Sequence, residues 1–392
     1  MYERNRCRRP IYLDYNATTP IEPEVLRAML PYLKAQFGNP SSSHAYGKLP
    51  RQAVNEAREK VAELVGSEPD EIVFTSGGTE SNNYAIVGTA LANIKKGRHI
   101  VSSRVEHPSV LETLRYLEEK FRFKVAYLNV DEYGTVSPSD VEKAITDETV
   151  LITVMHANNE VGTIEPIEEI GRIARERGVV FHSDAAQSCG KIEVNVDKLN
   201  VDLLTVAGHK LYAPKGIGAL YIRNGTRLEK LVHGGGQEHG RRAGTENVPY
   251  IVGLGRACEI SLGTVHDFGQ RVKALRDKLQ NNVLTGLGEE RVKLNGHSER
   301  RLPNTLNISI KGVMGEELLG QMPEIAASAG SACHAESTEP SAVLLAMGIA
   351  RELALGALRL SLGRWSTEEE IREASRLIVR NADSRRITNI VN

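Results

Sequence analysis

Long hydrophobic runs are missing from this chain, and so is any imbalance of charge. No apolar stretch in the 392 residues reaches the roughly 20 residues of a membrane-spanning helix, and the N-terminus lacks the apolar segment of a secretory signal. Basic and acidic residues number 49 and 50, a net charge of -1, so nothing draws the chain as a whole to nucleic acid or to a membrane surface. The one basic cluster, Arg4, Arg6, Arg8 and Arg9, reads as a solvated tail. Cysteine is scarce: Cys7, Cys189, Cys258 and Cys333 include no CxxC pair, which argues against a disulfide framework and against a zinc site. Internal repeats and low-complexity segments are also lacking. The absences together predict a cytoplasmic protein without metal, nucleic acid or membrane as a partner.

What is present is the composition of a soluble globular protein with a sizeable core, 41% apolar and 25% charged. Seven β-like runs follow one another: 71–75, 100–103, 125–130, 150–155, 179–182, 201–206 and 217–222. Helical patterns fall between several of them, such as Ile167, Ile170, Ile173 and Ala174. Strands separated by helices predict an α/β fold with a mostly parallel seven-stranded sheet covered on both faces. An earlier short strand is expected at 11–14, a helix at 22–33, and another helix where Val54, Ala57, Val61, Leu64 and Val65 recur at helical spacing. After about residue 260 the texture changes to longer helices around a few strands, among them 305–310 and 358–362. Ser366 to Glu369 reads as a capping box opening the last helix. The expected division is a large domain over 16–260 and a smaller α+β domain made of 1–15 plus 261–392.

Chemistry-bearing residues gather where strands end. The run Val201 to Val206 stops abruptly at Gly208-His209-Lys210, which sets a lysine at the carboxyl end of a buried strand, where open α/β sheets hold ligands. Desolvation or a neighbouring cation makes such an amine nucleophilic enough to form a Schiff base with a carbonyl. Ser76-Gly-Gly-Thr-Glu80 joins a strand to a helix and has the backbone freedom of a phosphate cradle, although it is neither a Walker loop nor a GxGxxG motif. His107 follows the strand at 100–103 and can stack on a flat ligand or shuttle protons; Asn159 also sits at a strand end. Asp184 can pair with a protonated ring nitrogen, or cap the next segment, and Gln187 can donate to a phenolate. Gly234 to Thr245 is glycine-rich, basic and flexible, suited to an anion, to a neighbouring subunit's site, or to a plain surface loop. Cys333, set among small and polar residues, reads as an exposed, mobile thiol.

The segments 12–20, 75–81, Glu106-His107, Asn158-Asn-Glu160, Asp184-Ala-Ala-Gln187, Gly208-His-Lys210, Gly234-Gly-Gly236, Arg242-Ala-Gly-Thr245 and Gly330-Ser-Ala-Cys333 resemble the NifS/IscS cysteine desulfurase family, in the same order and over nearly the whole chain. That family belongs to the fold-type I enzymes that use pyridoxal 5′-phosphate (PLP), in the class V aminotransferase group. The resemblance implies a PLP-dependent desulfurase that converts L-cysteine to L-alanine and leaves the sulfur on Cys333 as a persulfide for iron–sulfur cluster assembly or other delivery. It implies that Lys210 bonds to the cofactor and later moves the α-proton. His107 would stack on the ring, Asp184 would hold the pyridine nitrogen protonated, and Gln187 would bind the phenolate. Gly78, Thr79 and His209 would contact the phosphate, with Thr245 supplied by the partner chain of a homodimer, and Ala207 and Gly208 would complete the cofactor site. Asn159 and Arg359 would hold the substrate carboxylate, and a sulfur-acceptor protein such as an iron–sulfur scaffold would take the product.

Two features depart from the desulfurase pattern. Ala207 stands where a serine is common, and His334, Ala335 and Glu336 follow the cysteine where threonine and serine are frequent. The segments around Cys333, Arg301 to Thr305 and Val206 to Lys210 are similar to selenocysteine lyases as well, which use the same cofactor. A silent scaffold of a sulfur-assembly complex is an alternative of another class, but it gives Lys210, Asp184, Gln187 and Cys333 no joint purpose. An aminotransferase leaves Cys333 without one.

Overall fold

A computed structural model describes residues 9–329 and 339–388; Cys7 and Cys333 lie outside them. Twelve strands are found among the described residues: β1 (Ile11–Tyr12), β2 (Ile72–Thr75), β3 (His99–Ser103), β4 (Lys124–Leu128), β5 (Thr149–Thr153), β6 (Val180–Asp184), β7 (Leu203–Ala207), β8 (Gly218–Ile222), β9 (Val292–Asn295), β10 (Thr305–Ile310), β11 (Ile325–Ala326) and β12 (Ala357–Ser361). Seven of them form the expected sheet, in the order β2-β8-β7-β6-β5-β3-β4. Only β8 runs against its neighbours, pairing antiparallel with both β2 and β7. Every residue of β2, β5, β7 and β8 is buried, as expected of strands covered on both faces.

The helices that cover the sheet carry their apolar residues as stripes. On one face Val54, Ala57, Val61 and Val65 of the helix Ala45–Val65 pack with Val25 and Met29 of Pro23–Lys34 and with Ile251, Leu254 and Cys258. On the other face Ile86 and Ala90 of Gly78–Ala92 meet Val110, Leu114 and Leu117 of Pro108–Phe121. β9, β10 and β12 form a separate antiparallel sheet. Its core combines Ile308, Leu358 and Leu360 with Leu377 and Ile378 of the last helix, Glu368–Thr388.

One helix belongs to both cores. Val248–Leu287 runs for 40 residues, about 60 Å at the α-helical rise. Its first part supplies Val248, Ile251, Leu254 and Cys258 to the core beside the large sheet, and its second part supplies Phe268, Val272, Leu279, Val283 and Leu287 to the other. Residue 260 therefore lies inside a helix, and no loop marks the change of texture seen in the sequence. The capping box also differs from expectation by one residue. Thr367 N–H donates to Glu370 Oε2 (2.9 Å) and Glu370 N–H to Thr367 Oγ1 (3.2 Å), while Ser366 Oγ accepts instead from Gly363 N–H (3.0 Å).

Because β2, β3, β5, β6 and β7 all point the same way, their carboxyl ends share one edge of the sheet. These ends and the segments that leave them carry Gly78, His107, Asn159, Asp184 and Lys210. This is the edge at which open α/β sheets bind ligands.

Candidate active site

A cavity of about 350 Å³ opens at that edge, and it is lined by Gly78, Thr79, His107, Asn159, Asp184, Gln187, Ala207, His209, Lys210 and Arg359. Ten of the residues singled out from the sequence thus share one space, within the size range of small-ligand pockets. Gly208 does not line the cavity; a Cβ there would stand 2.8 Å from the Ile217 carbonyl oxygen, so any side chain would force the turn to shift. Thr245 faces a different depression, with Thr75, Ser76 and Gly244. Cys333 lies outside the described residues.

Lys210 ends β7 in the turn Gly208–Lys210, and its Nζ donates to the carbonyls of Asn16 (2.5 Å) and Ala17 (2.7 Å). These contacts turn the amine toward the chain segment that follows β1. Asp184, the last residue of β6, is buried and divided in its duties: Oδ1 accepts from Ala186 N–H (2.9 Å) and Oδ2 from Asn82 Nδ2 (2.7 Å). The capping contact and the ligand-facing position coexist in one carboxylate. His107 is similar. Its Nδ1 caps the helix Pro108–Phe121 by accepting from Ser109 N–H (3.1 Å), while its ring lines the cavity. Burial lowers the His107 pKa, with Asp184 opposing and Lys210 adding to the fall. His209 is pushed down to about 4 by burial and the neighbouring Lys210, so it meets a ligand at neutral pH as a neutral donor.

The phosphate cradle expected at 76–80 opens the helix Gly78–Ala92, whose first N–H groups have no partner within the helix. A Cβ on Gly78 would come within 3.2 Å of Ala207 Cβ; both positions are small where the backbone closes on the cavity. Glu80, in the same turn, is held by Arg242 of the glycine-rich segment (Nε to Oε1, 2.8 Å) and by Ser76 N–H (2.7 Å). Burial raises its carboxyl, but those hydrogen bonds outweigh it and hold the pKa below the ordinary value. The glycine-rich segment is also pinned elsewhere. Buried Glu238 grips Arg58 with both oxygens at 2.8 Å and accepts from Phe74 N–H at 2.9 Å, so a stretch whose composition suggested free movement is tied to the sheet.

Arg359, on β12, is 2% exposed. Its Nη2 donates to Asp14 Oδ1 (2.9 Å) and Ser328 Oγ (3.0 Å), its Nη1 makes only a 3.4 Å contact to Asn159 O, and its Nε has no partner. A buried guanidinium with donors to spare, facing a cavity, is suited to a carboxylate.

Sequence reasoning missed several lining residues, chief among them Asn16 and Asn82. Asn82 was discoverable, since it lies four residues after Gly78 and therefore on the same helix face. Its Oδ1 is buried without a partner. Asn16 lies in the segment 12–20 that carries the family resemblance, but nothing there marked it as a lining residue. Its carbonyl accepts from Lys210 and from Gln187 Nε2 (3.0 Å), and its side chain donates to Asn159 O (3.1 Å) and Thr305 Oγ1 (2.8 Å), joining chain segments far apart in sequence.

The sequence model of the family described as Aminotransferase class-V matches residues 11–373. The chain is 50% identical over 366 residues to the cysteine desulfurase IscS of Dictyoglomus turgidum, covering 93% of this chain and 92% of that one. It is 50% identical over 363 residues to the cysteine desulfurase IscS of Methanosarcina thermophila, covering 92% and 89%. Among solved structures, a NifS-like protein superimposes with a TM-score of 0.88 at 39% identity over 95% of this chain and 98% of its own. SspA in complex with cysteine gives 0.78 at 39% identity over 91% and 99%.

Proposed function

Because the chain belongs to the class-V aminotransferase family, with cysteine desulfurases among its half-identical relatives, we propose that it is a PLP-dependent cysteine desulfurase acting on L-cysteine. The observation that carries this reading is the convergence of Lys210, Asp184, Gln187 and Arg359 on one cavity. These residues fit the cofactor chemically. Lys210 offers an amine for its aldehyde, Asp184 a carboxylate for its ring nitrogen, and Gln187 an amide for its ring oxygen, while the helix start at Gly78 and Thr79, with neutral His209, suits its phosphate. The unpartnered Oδ1 of Asn82 behind Asp184 is consistent with a polar occupant. When bound, PLP supplies an electrophilic carbon for covalent attachment of the substrate and a protonated ring that draws electrons from it.

The protein's own residues then have distinct tasks. Arg359 and Asn159 orient the substrate carboxylate, with Arg359 itself oriented by Asp14 and Ser328. Asp184 keeps the proton on the ring nitrogen. Lys210 Nζ takes the proton from the substrate α-carbon and returns a proton as the product forms. The Cys333 thiolate attacks the substrate γ-sulfur; as the sulfur–sulfur bond forms, the carbon–sulfur bond breaks with its electron pair left on the β-carbon, which takes up a proton, so the sulfur remains on Cys333 as a persulfide and L-alanine leaves. The persulfide passes to an acceptor protein, and the enzyme works as a cytoplasmic homodimer in which Thr245 reaches the partner's cavity.

The test is a pair of assays on purified protein, scoring alanine release from L-cysteine and from L-selenocysteine, with Cys333→Ala and Lys210→Ala beside the parent. The desulfurase reading expects the parent to turn over cysteine, Lys210→Ala to be inactive, and Cys333→Ala to stop cysteine cleavage. Cleavage of selenocysteine but not cysteine by the parent would assign the lyase activity instead.

A further inference from the structure

Gln187 is held from behind by a second lysine. Lys191 lies four residues on, is 5% exposed, and donates from Nζ to Gln187 Oε1 (2.7 Å) and to Asn16 Oδ1 (3.2 Å). No carboxylate pairs with it among the described residues. Two acceptors match the two N–H groups of a neutral amine, whereas the third proton of an ammonium would meet no acceptor. Burial, together with the nearby cations Lys210 and Arg359, lowers its pKa well below the usual lysine value.

The arrangement decides which way the Gln187 amide points. With Oε1 facing Lys191, Nε2 donates one proton to Asn16 O (3.0 Å) and has a second N–H to present to the cavity that Gln187 lines. The flipped amide would set Oε1 against the Asn16 carbonyl, acceptor against acceptor. Without Lys191, nothing would take Gln187 Oε1, and the side chain would be free to leave this orientation. Lys191 also holds Asn16, whose carbonyl is shared between Gln187 and Lys210.

We propose that Lys191 is a positioning residue that fixes the Gln187 side chain and Asn16 so that a Gln187 N–H faces the ring oxygen of the bound cofactor. This rests on the PLP reading of the cavity and adds a residue to it. Loss of one oriented hydrogen bond of this kind corresponds to roughly a tenfold change in affinity.

The experiment measures PLP binding to the apoprotein by equilibrium dialysis, with apoprotein melting temperatures recorded alongside. It compares the parent, Lys191→Met, Gln187→Ala and the double variant. The expected result is about tenfold weaker PLP binding on Lys191→Met when Gln187 is present and a change under twofold when Gln187 is already alanine. Equal weakening in both backgrounds would mean general damage and would overturn the proposal, as would no weakening at all. Should Lys191→Met fail to fold, Lys191→Gln, which keeps a side-chain N–H donor, is expected to bind PLP within threefold of the parent. Tenfold weaker binding by that variant whether or not Gln187 is present would overturn the proposal too. Failure of the parent to bind PLP would strike the cofactor reading itself, and this inference with it.

Discussion

Arg359 combines deep burial with donors that its protein partners do not use up. Replacing it by alanine should cost the substrate carboxylate a charge-assisted hydrogen bond, about 1.5 to 3 kcal/mol, and raise KM for cysteine by roughly ten- to a hundredfold; an unchanged KM would remove the residue from its assigned role. A pair of buried carboxyls sets a pH dependence of stability. Glu106 and Glu165 are each raised to about 8, by burial first and then by neighbouring carboxylates, and each has one oxygen without a partner. A raised carboxyl keeps its proton in the folded state where the unfolded chain has lost it, so its contribution is full below about pH 4.5 and fades as pH rises toward 8. Glu165→Gln cannot ionise. Its stability relative to the parent should therefore climb by about 1.4 kcal/mol per pH unit across that window, which paired melting curves at pH 5 and pH 8 would detect; parallel curves would contradict the assignment. Residues at strand ends, such as Lys210, Asp184 and His107, were legible because an apolar run of strand length that stops abruptly says where the next side chain stands. Asn16 and Lys191 were not, because their contacts join positions 171 and 175 residues apart, and no local pattern encodes such a meeting.

The elements themselves follow the sequence closely where one period dominates. Each of the seven runs predicted for the main sheet coincides with a strand to within a few residues, since continuous apolar stretches bounded by glycine and polar turns have few other ways to be buried. The short strands β9 and β11, four and two residues long, were not among the expected ones. Contact between helices was equally hidden. Ala45–Val65 and Val248–Leu287 come together where Gly255 meets Ala57, and a Cβ on Gly255 would fall 2.6 Å from Ala57 Cα. Such an overlap with backbone forces the two helices apart, so Gly255→Ala should destabilise the fold by about 1 to 3 kcal/mol despite alanine's better helix propensity. A melting temperature at or above that of the parent would show that the helices can yield.

At the scale of the whole molecule, Thr245 tests the arrangement of subunits. It lies in a depression apart from the Lys210 cavity of its own chain, as expected if it serves the partner. Co-expressed Lys210→Ala and Thr245→Ala chains would then form mixed dimers with one doubly damaged and one intact site, and activity should return to about half that of the parent dimer per mixed dimer. No recovery beyond the separate variants would place Thr245 in its own chain's chemistry. The helix Val248–Leu287 carries a different implication. A single rod rooted in two separate apolar nuclei makes each half's melting expose the other's flank, so heat should disassemble the protomer in one concerted step. Scanning calorimetry would then record a lone endotherm, and a serine in place of Val272 near the rod's midpoint would drag that peak down as a unit and never split it in two.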